Sequence, residues 1–381
     1  MIEKMKYSRV VVKLGTNLLT GETDSLKEEI VASLVSQIAS LRSNNLDILI
    51  VSSGAIAAGR GLLGQKNKTK SLKILQAQAA VGQNYLMQMY GKLFAEHGII
   101  VGQALLTRAE LSSNATASNA RSTLEELFGL DVVPIVNEND VVATDEIEES
   151  FGDNDNLSAA VANLIAADLL VFLTDQQGLF DSDPRSNPQA KLIKKVTRVN
   201  DAIIKGANNI AGSRGKGGMA SKVLAATEAT SWGTATVIAS GNEEDVLSKI
   251  VRGDEVGTFF EPWGKKRSRA RRRSLGSVFV KGKIVVDEGA AKALITGKTS
   301  LLAIGVTDVQ GSFESGDVVE ILGPDNLPIA RGAVAYPSEA VNLFKGHRSE
   351  SIRDLISSPN FEGRFVGDEI VHVDNMVLIE K

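Results

Sequence analysis

The chain is 381 residues long, 43% hydrophobic and 23% charged, with a formal net charge of −4; the length predicts roughly two to three domains. It has no cysteine, which excludes disulfides, thiolate catalysis and Cys-ligated metal or iron–sulfur centres, and its mild acidity argues against nucleic-acid binding over the whole surface. The start, MIEKMKYSRV, lacks an apolar signal core, and no apolar run approaches the ~18 residues of a membrane span, so a cytoplasmic location is expected.

The first predicted strand is residues 9–14, where three valines run into Lys13, Leu14 and Gly15. A buried ammonium requires a partner, so the position of Lys13 asks for one. A helical pattern at 27–43 precedes a second strand, LDILIVSS at 46–53, which ends in Ser52, Ser53 and Gly54. GRGLLG at 59–64 matches a dinucleotide fingerprint in spelling only. A helix-like stretch, not a strand, precedes it, and residues 80–88 hold no acidic residue. A long helix is predicted at 71–96, followed by a strand at 99–107 and another at 131–137.

The segment VNENDVVATDE at 136–146, followed by FGDNDN at 151–156, is dense in carboxamides and carboxylates, including Asp140, Asp153, Asn154 and Asp155. Such residues bind an amino acid's ammonium and orient lysines. They also favour turns and helix caps, so Asp153 or Asp155 as the cap of a helix from Asn156 is the alternative. A helix at 155–167 leads into the strand DLLVFLTD at 168–175, which ends in Thr174 and Asp175 and opens a long polar loop. Loops after parallel strands commonly hold a nucleotide's base and ribose. In AGSRGKGGMASK, residues 211–222, glycines precede a helix beginning near Met219. Backbone N–H groups and the helix dipole suit phosphate there; a plain flexible loop is the alternative. A helix at 220–231 and a strand at 234–240 close this part.

Near-continuous apolar strands alternating with helices predict a mostly parallel sheet covered on both faces, with the site at the carboxyl ends of its strands. The three histidines, His97, His347 and His372, are scattered, which argues against a His-based triad or metal site. WGKKRSRARRRS at 263–274 breaks the alternation, with seven basic residues between Lys265 and Arg273. It reads as a solvated linker, with contact to nucleic acid or to another subunit as alternatives. Beyond it, 275–381 carries short strands and frequent turn signals and predicts a small β-barrel-type domain.

The motifs VVKLGTNLLT, SSGAIAAGR, LLTRAE, VNENDVVAT, GDNDNLSA, LTDQQGLFDSDPRSNPQA and GKGGMASK, spanning about 8–260, resemble the successive motifs of the glutamate 5-kinase family within the amino acid kinase superfamily. VDEGAAKAL, SLLAIGVTDVQGSFESGDVVEI and IARGAVAY in the last hundred residues resemble a PUA domain. The resemblance implies an α/β fold, an amino acid kinase-type three-layer sandwich with a mostly parallel sheet over 1–262, a basic linker at 263–274, and a small mostly-β PUA-like domain at 275–381.

The resemblance further implies transfer of the γ-phosphoryl of ATP to the side-chain carboxylate of L-glutamate, giving glutamyl 5-phosphate for proline synthesis. It implies catalytic roles for Lys13 and Lys222, on the transferring phosphates, and for Asp155, which orients both. Ser53, Gly54, Asp140 and Asn154 are implied for glutamate, with Asp140 on the α-ammonium. For ATP it points to Lys13, Thr174, Asp175 and the run Lys216, Gly217, Gly218, Met219, Ala220, Ser221 and Lys222. Mg²⁺ is expected on phosphate oxygens and water, with no protein metal cage. A carboxylate nucleophile with pKa ~4.3 is already ionised at neutral pH and needs no general base. Proline inhibition, a homo-oligomer (dimer or tetramer) and a downstream glutamyl phosphate reductase are also implied. Two positions depart from the family pattern: Lys216 stands where Ser or Thr is usual, and Ser52 where Thr is common. Residues 274–381 hold 10 Lys and Arg against 15 Asp and Glu, a net of −5 that argues against RNA binding.

Overall fold

The structure is a computed structural model describing residues 6–21, 25–65, 69, 71–111, 114–143, 154–209, 218–263, 280–296, 299–356 and 367–379. Two compact units are present, Met1–Arg108 with Ala120–Arg267, and Ala109–Asn119 with Ser268–Lys381. The basic run lies almost wholly outside the described residues, as do Asp153, Lys216 and Gly217.

Along the chain the order is β1 (Arg9–Leu14), α1 (Thr16–Thr20), α2 (Glu28–Arg42), β2 (Asp47–Ser52), α3 (Ala55–Leu62), α4 (Leu72–Ala95), β3 (Val101–Leu106), α5 (Arg108–Leu111), α6 (Asn114–Gly129) and β4 (Val133–Glu138). There follow α7 (Asn154–Leu164), β5 (Leu169–Thr174), β6 (Lys195–Val196), α8 (Asp201–Asn209), α9 (Met219–Ser231), β7 (Ala235–Ser240), α10 (Val246–Arg252) and β8 (Thr258–Phe260). The eight strands form one sheet in the order β3-β4-β2-β1-β5-β7-β8-β6. The predicted parallel direction holds from β3 to β7, and only the short β8 turns antiparallel to its neighbour β7.

Strands buried on both faces must be apolar throughout, and β5, LLVFLT, is buried at all six positions. Alternation then decides which neighbour each residue meets. Val10, Val12 and Leu14 join a core with Leu34, Val35 and Ile38 of α2, Leu86 and Tyr90 of α4, and Val246 and Ile250 of α10. Val11 and Lys13 therefore point to the opposite face, where α7 packs on β1. Each fully buried Val, Leu or Ile contributes about 1.5–3 kcal/mol, so both layers are strongly fixed. The chain leaves β1 for β2 on one side and later returns to β5 on the other. The carboxyl end of β1 is thus a topological switch point, where open α/β sheets bind ligands.

The first glycine of GRGLLG, Gly59, has a packing role, shared with Gly82. A Cβ on Gly59 of α3 would lie 1.8 Å from the Gln78 carbonyl oxygen of α4, and one on Gly82 of α4 would lie 1.8 Å from the Ala55 carbonyl oxygen of α3. The two helices touch backbone to backbone at these two residues.

The second unit contains β9 (Gly282–Val286), α11 (Glu288–Thr296), β10 (Leu301–Leu302), β11 (Val306–Gly311), β12 (Val318–Leu322) and β13 (Pro328–Ala333). After these come α12 (Ser338–Phe344), α13 (Ser349–Ile356), β14 (Glu369–Val371) and β15 (Met376–Leu378). Its five-stranded sheet runs β11-β9-β12-β13-β15, with a separate β10-β14 pair. Ile284, Val319, Ile321, Ile329, Tyr336 and Phe344 share its own core. The short strands expected there are present, and among the described residues three α-helices accompany them.

Candidate functional site

The partner that Lys13 requires is Asp155. Lys13, next to last in β1, points to the α7 face, and its Nζ lies 2.6 Å from Asp155 Oδ1. Lys222, on the first turn of α9, approaches from the other side with its Nζ 3.1 Å from Asp155 Oδ2. The Ser221 hydroxyl donates to Asp155 Oδ2 at 2.6 Å. All three charged side chains are almost fully buried, Asp155 completely. Burial alone raises the Asp155 carboxyl, but the charges of Lys13 and Lys222 and the hydrogen bonds of Lys13 and Ser221 outweigh it, holding it well below the usual carboxylate range. Its place in the first turn of α7 adds a favourable helix dipole. Helix α7 begins at Asn154, so Asp155 is an ion-pair centre within the helix and not the cap of one from Asn156.

Two ammonium groups share one carboxylate here, leaving a local excess of positive charge beside the start of α9. Each ammonium has three N–H donors and is able to hold Asp155 and an anionic oxygen together. The arrangement suits a group that carries and develops negative charge, as a transferring phosphoryl group does.

The residue before Asp155 enters a different set of contacts. Asn154 Nδ2 donates to the Ser52 carbonyl oxygen at 2.8 Å, to Asn137 Oδ1 at 2.8 Å and to Ser53 Oγ at 3.2 Å. Asn137, next to last in β4, donates in turn to Gln83 Oε1 of α4 at 2.6 Å. Ser52 Oγ and Tyr90 OH, also of α4, are 2.9 Å apart, and burial pushes the Tyr90 hydroxyl's pKa up. The ends of β2 and β4 and the start of α7 are thereby joined through neutral groups. Gly54 follows Ser53 and adopts φ 96°, the left-handed conformation that glycine tolerates, letting the chain turn from β2 into α3.

Asp140 is buried, and that burial pushes its carboxyl up to about 7. Its Oδ1 has no hydrogen-bond donor among the described residues, nor does Asn154 Oδ1. Two buried acceptor oxygens without donors fit a cationic ligand group, because an unmet buried acceptor is unfavourable by about 1–3 kcal/mol.

The structure therefore brings together Lys13, Asp155, Ser221 and Lys222, and separately Ser53 and Asn154. Thr174, at the carboxyl end of β5, donates to Asp175 Oδ1 at 2.9 Å. Gly218 precedes α9, and Met219 and Ala220 occupy its first turn. Lys216 and Gly217 lie outside the described residues. Sequence reasoning missed Gln83 and Tyr90. Their seven-residue separation on α4 puts them on one helix face, but the sequence does not show that this face meets β2 and β4.

Among the described residues no cluster of three or more His, Asp or Glu side chains is arranged to hold a metal ion, and no helix there is long and apolar enough to cross a membrane. The model of the amino acid kinase family matches residues 8–240, and that of the PUA domain matches 282–356. A glutamate 5-kinase of Thioalkalivibrio sulfidiphilus is 42% identical over 374 residues, covering 98% of each chain. One of Dehalococcoides mccartyi is 43% identical over 374 residues, covering 98% of this chain and 99% of its own. One of Hydrogenovibrio crunogenus is 43% identical over 375 residues, covering 98% of each chain.

Proposed function

Because the chain belongs to the amino acid kinase family, and within it to the glutamate 5-kinases, we propose that it transfers the γ-phosphoryl group of ATP to the side-chain carboxylate of L-glutamate, in the first step of proline biosynthesis. The observation that carries this reading is the Asp155 carboxylate clasped by Lys13 and Lys222 at the switch point of the sheet.

A glutamate carboxylate oxygen attacks the γ-phosphorus, the bond from that phosphorus to the β,γ-bridging oxygen breaks, and glutamyl 5-phosphate and ADP result. Lys13 and Lys222 flank the transferring group and neutralise the charge spread over its oxygens. Asp155 keeps the two ammonium groups in register, a preorganised arrangement of the kind that supplies most of the rate in phosphoryl transfer. The nucleophile is ionised before it binds, so no side chain has to remove a proton. Asp140 and Asn154 receive the α-ammonium, while Ser53 and the backbone at Gly54 hold a carboxylate. ATP lies along the start of α9, Gly218 to Lys222, with Lys216 and Gly217 in the preceding loop and Thr174 and Asp175 after β5. Mg²⁺ would be held through phosphate oxygens and water and would supply charge neutralisation there, while Asp155 stays committed to the two lysines.

Proline, which shares the α-ammonium and α-carboxylate of glutamate, is proposed as an inhibitor at an overlapping site. A homo-oligomeric state and a reductase that consumes the labile acyl phosphate complete the reading. The test is an assay with ATP and Mg²⁺ that traps the product with hydroxylamine, run with L-glutamate, L-aspartate, N-acetyl-L-glutamate and carbamate in parallel. Hydroxamate with glutamate alone is expected. A signal only with another acceptor would move the substrate assignment, and silence with all four would overturn the reading.

A further inference from the structure

Three amides in the site run in one direction, and backbone groups fix that direction. The Glu138 backbone N–H donates to Asn137 Oδ1 at 2.9 Å; an N–H only donates, so the Asn137 oxygen must face it. The Ser52 carbonyl oxygen accepts from Asn154 Nδ2 at 2.8 Å; a carbonyl only accepts, so the Asn154 nitrogen must face it. Amide orientations that ordinarily have to be inferred are thus dictated at both ends. Between them, Asn154 Nδ2 donates to Asn137 Oδ1 at 2.8 Å and Asn137 Nδ2 donates to Gln83 Oε1 at 2.6 Å.

The consequence falls on Asn154 Oδ1. With the amide nitrogen turned towards Ser52, Ser53 and Asn137, the oxygen is left buried and without a donor among the described residues. An aligned chain of amides polarises its members, strengthening the acceptor at its end. Gln83 Oε1 is the last acceptor in this chain, and Gln83 Nε2 is itself buried without an acceptor among the described residues. Gln83 therefore meets Asn137 as an acceptor.

We propose that Gln83 is a positioning residue for the amino end of the substrate, acting through Asn137 to hold Asn154 Oδ1 as an acceptor for an ammonium group. The inference rests on the proposed function, since it takes the ligand to be an α-amino acid. Gln83 does not touch the transferring phosphoryl group in this scheme, so its removal is felt in the capture of the acceptor.

The experiment compares Gln83→Leu and Gln83→Glu with the unaltered chain in the hydroxamate assay, varying L-glutamate and ATP separately and recording thermal unfolding of each protein. Leucine removes the acceptor facing Asn137, whereas glutamate keeps one, because a carboxylate accepts through both oxygens. The expected result for Gln83→Leu is a rise of about tenfold in KM for glutamate, the size of one lost buried hydrogen bond, with kcat and KM for ATP within about twofold of the unaltered chain. Gln83→Glu is expected to restore most of that rise. An unchanged KM for glutamate in a folded Gln83→Leu protein overturns the proposal. So does a parallel rise in both KM values together with a lowered unfolding temperature, which marks general damage. Absence of glutamate-dependent product from the unaltered chain overturns instead the reading of function on which the inference stands.

Discussion

Asn154 and Asp155 are consecutive residues on the first turn of one helix, yet they serve two regions of opposite physical character. Asp155 faces a cluster of formal charges, in which Lys13 and Lys222 hold its carboxyl ionised. Asn154 faces Ser52, Ser53 and Asn137, a set with no formal charge. In the proposed function the charged region stabilises charge that grows during the reaction, and the neutral region places a molecule whose charges are already formed. A single helix start divides these tasks because successive side chains leave it about 100° apart.

The comparison is most severely tested at Asp155. Asp155→Ala leaves two buried ammonium groups without their shared carboxylate. The expected loss is about 3–5 kcal/mol of stability, read by urea unfolding, together with a fall of about 10²–10³ in kcat. Retention of near-normal stability would show that the lysines find other partners and that the cluster is not a unit.

Lys13→Met should lower kcat by about 10²–10³ while KM for glutamate stays within about threefold. A rise in KM for glutamate with unchanged kcat would place Lys13 on the neutral side of the division and break it.

Asn154→Ala works in the reverse sense. It strips a donor from the Ser52 carbonyl oxygen and from Asn137 Oδ1, about 1–3 kcal/mol in unmet hydrogen bonds. KM for glutamate should rise by about ten- to a hundredfold, with a smaller change in kcat.

The smallest effect is expected at Asp140, whose carboxyl is raised to about 7 by burial. A folded-state value above the unfolded one means that the protonated form favours folding. Its contribution is complete below about pH 4 and is lost as pH rises through about 7. Capture of an ammonium needs the ionised form, so affinity for glutamate should increase about tenfold between pH 6 and pH 8. In Asp140→Asn both trends should flatten, as followed by unfolding temperature and by KM across that range. A pH-independent KM in the unaltered chain would mean that Asp140 does not meet the ammonium.

The sequence carried the frame well. The runs of Val, Ile and Leu at 9–14, 46–53, 131–137, 168–175 and 234–240 become β1, β2, β4, β5 and β7 within two residues at each end. Strands buried on both faces leave little other chemistry open to them, which makes them readable. Lys13 was legible for the same reason, as a lone charge in such a run. The first turn of α7 was harder, because Asp and Asn at a helix start satisfy a capping rule as readily as a functional one. Only the packing of α7 on β1 decides between these for Asp155. The antiparallel β8 is three residues long and has no periodicity to read. Gln83 and Tyr90 were illegible in principle. A polar group on an amphipathic helix ordinarily faces water, and nothing local to α4 reveals that these two reach the ends of neighbouring strands.

The backbone crossing of α3 and α4 acquires a further meaning from its neighbours. Gly82 adjoins Gln83, and α3 begins at the turn through Gly54. Two positions lacking a side chain thus work as a locating pin. They set the height of one amide relative to the loop it serves, and no part of that setting is made by a group that meets the ligand. A methyl group at residue 59 or 82 would lift one helix from the other and detune the grip on the substrate's amino end. On the proposed function, selectivity here has a mechanical tolerance as well as a chemistry.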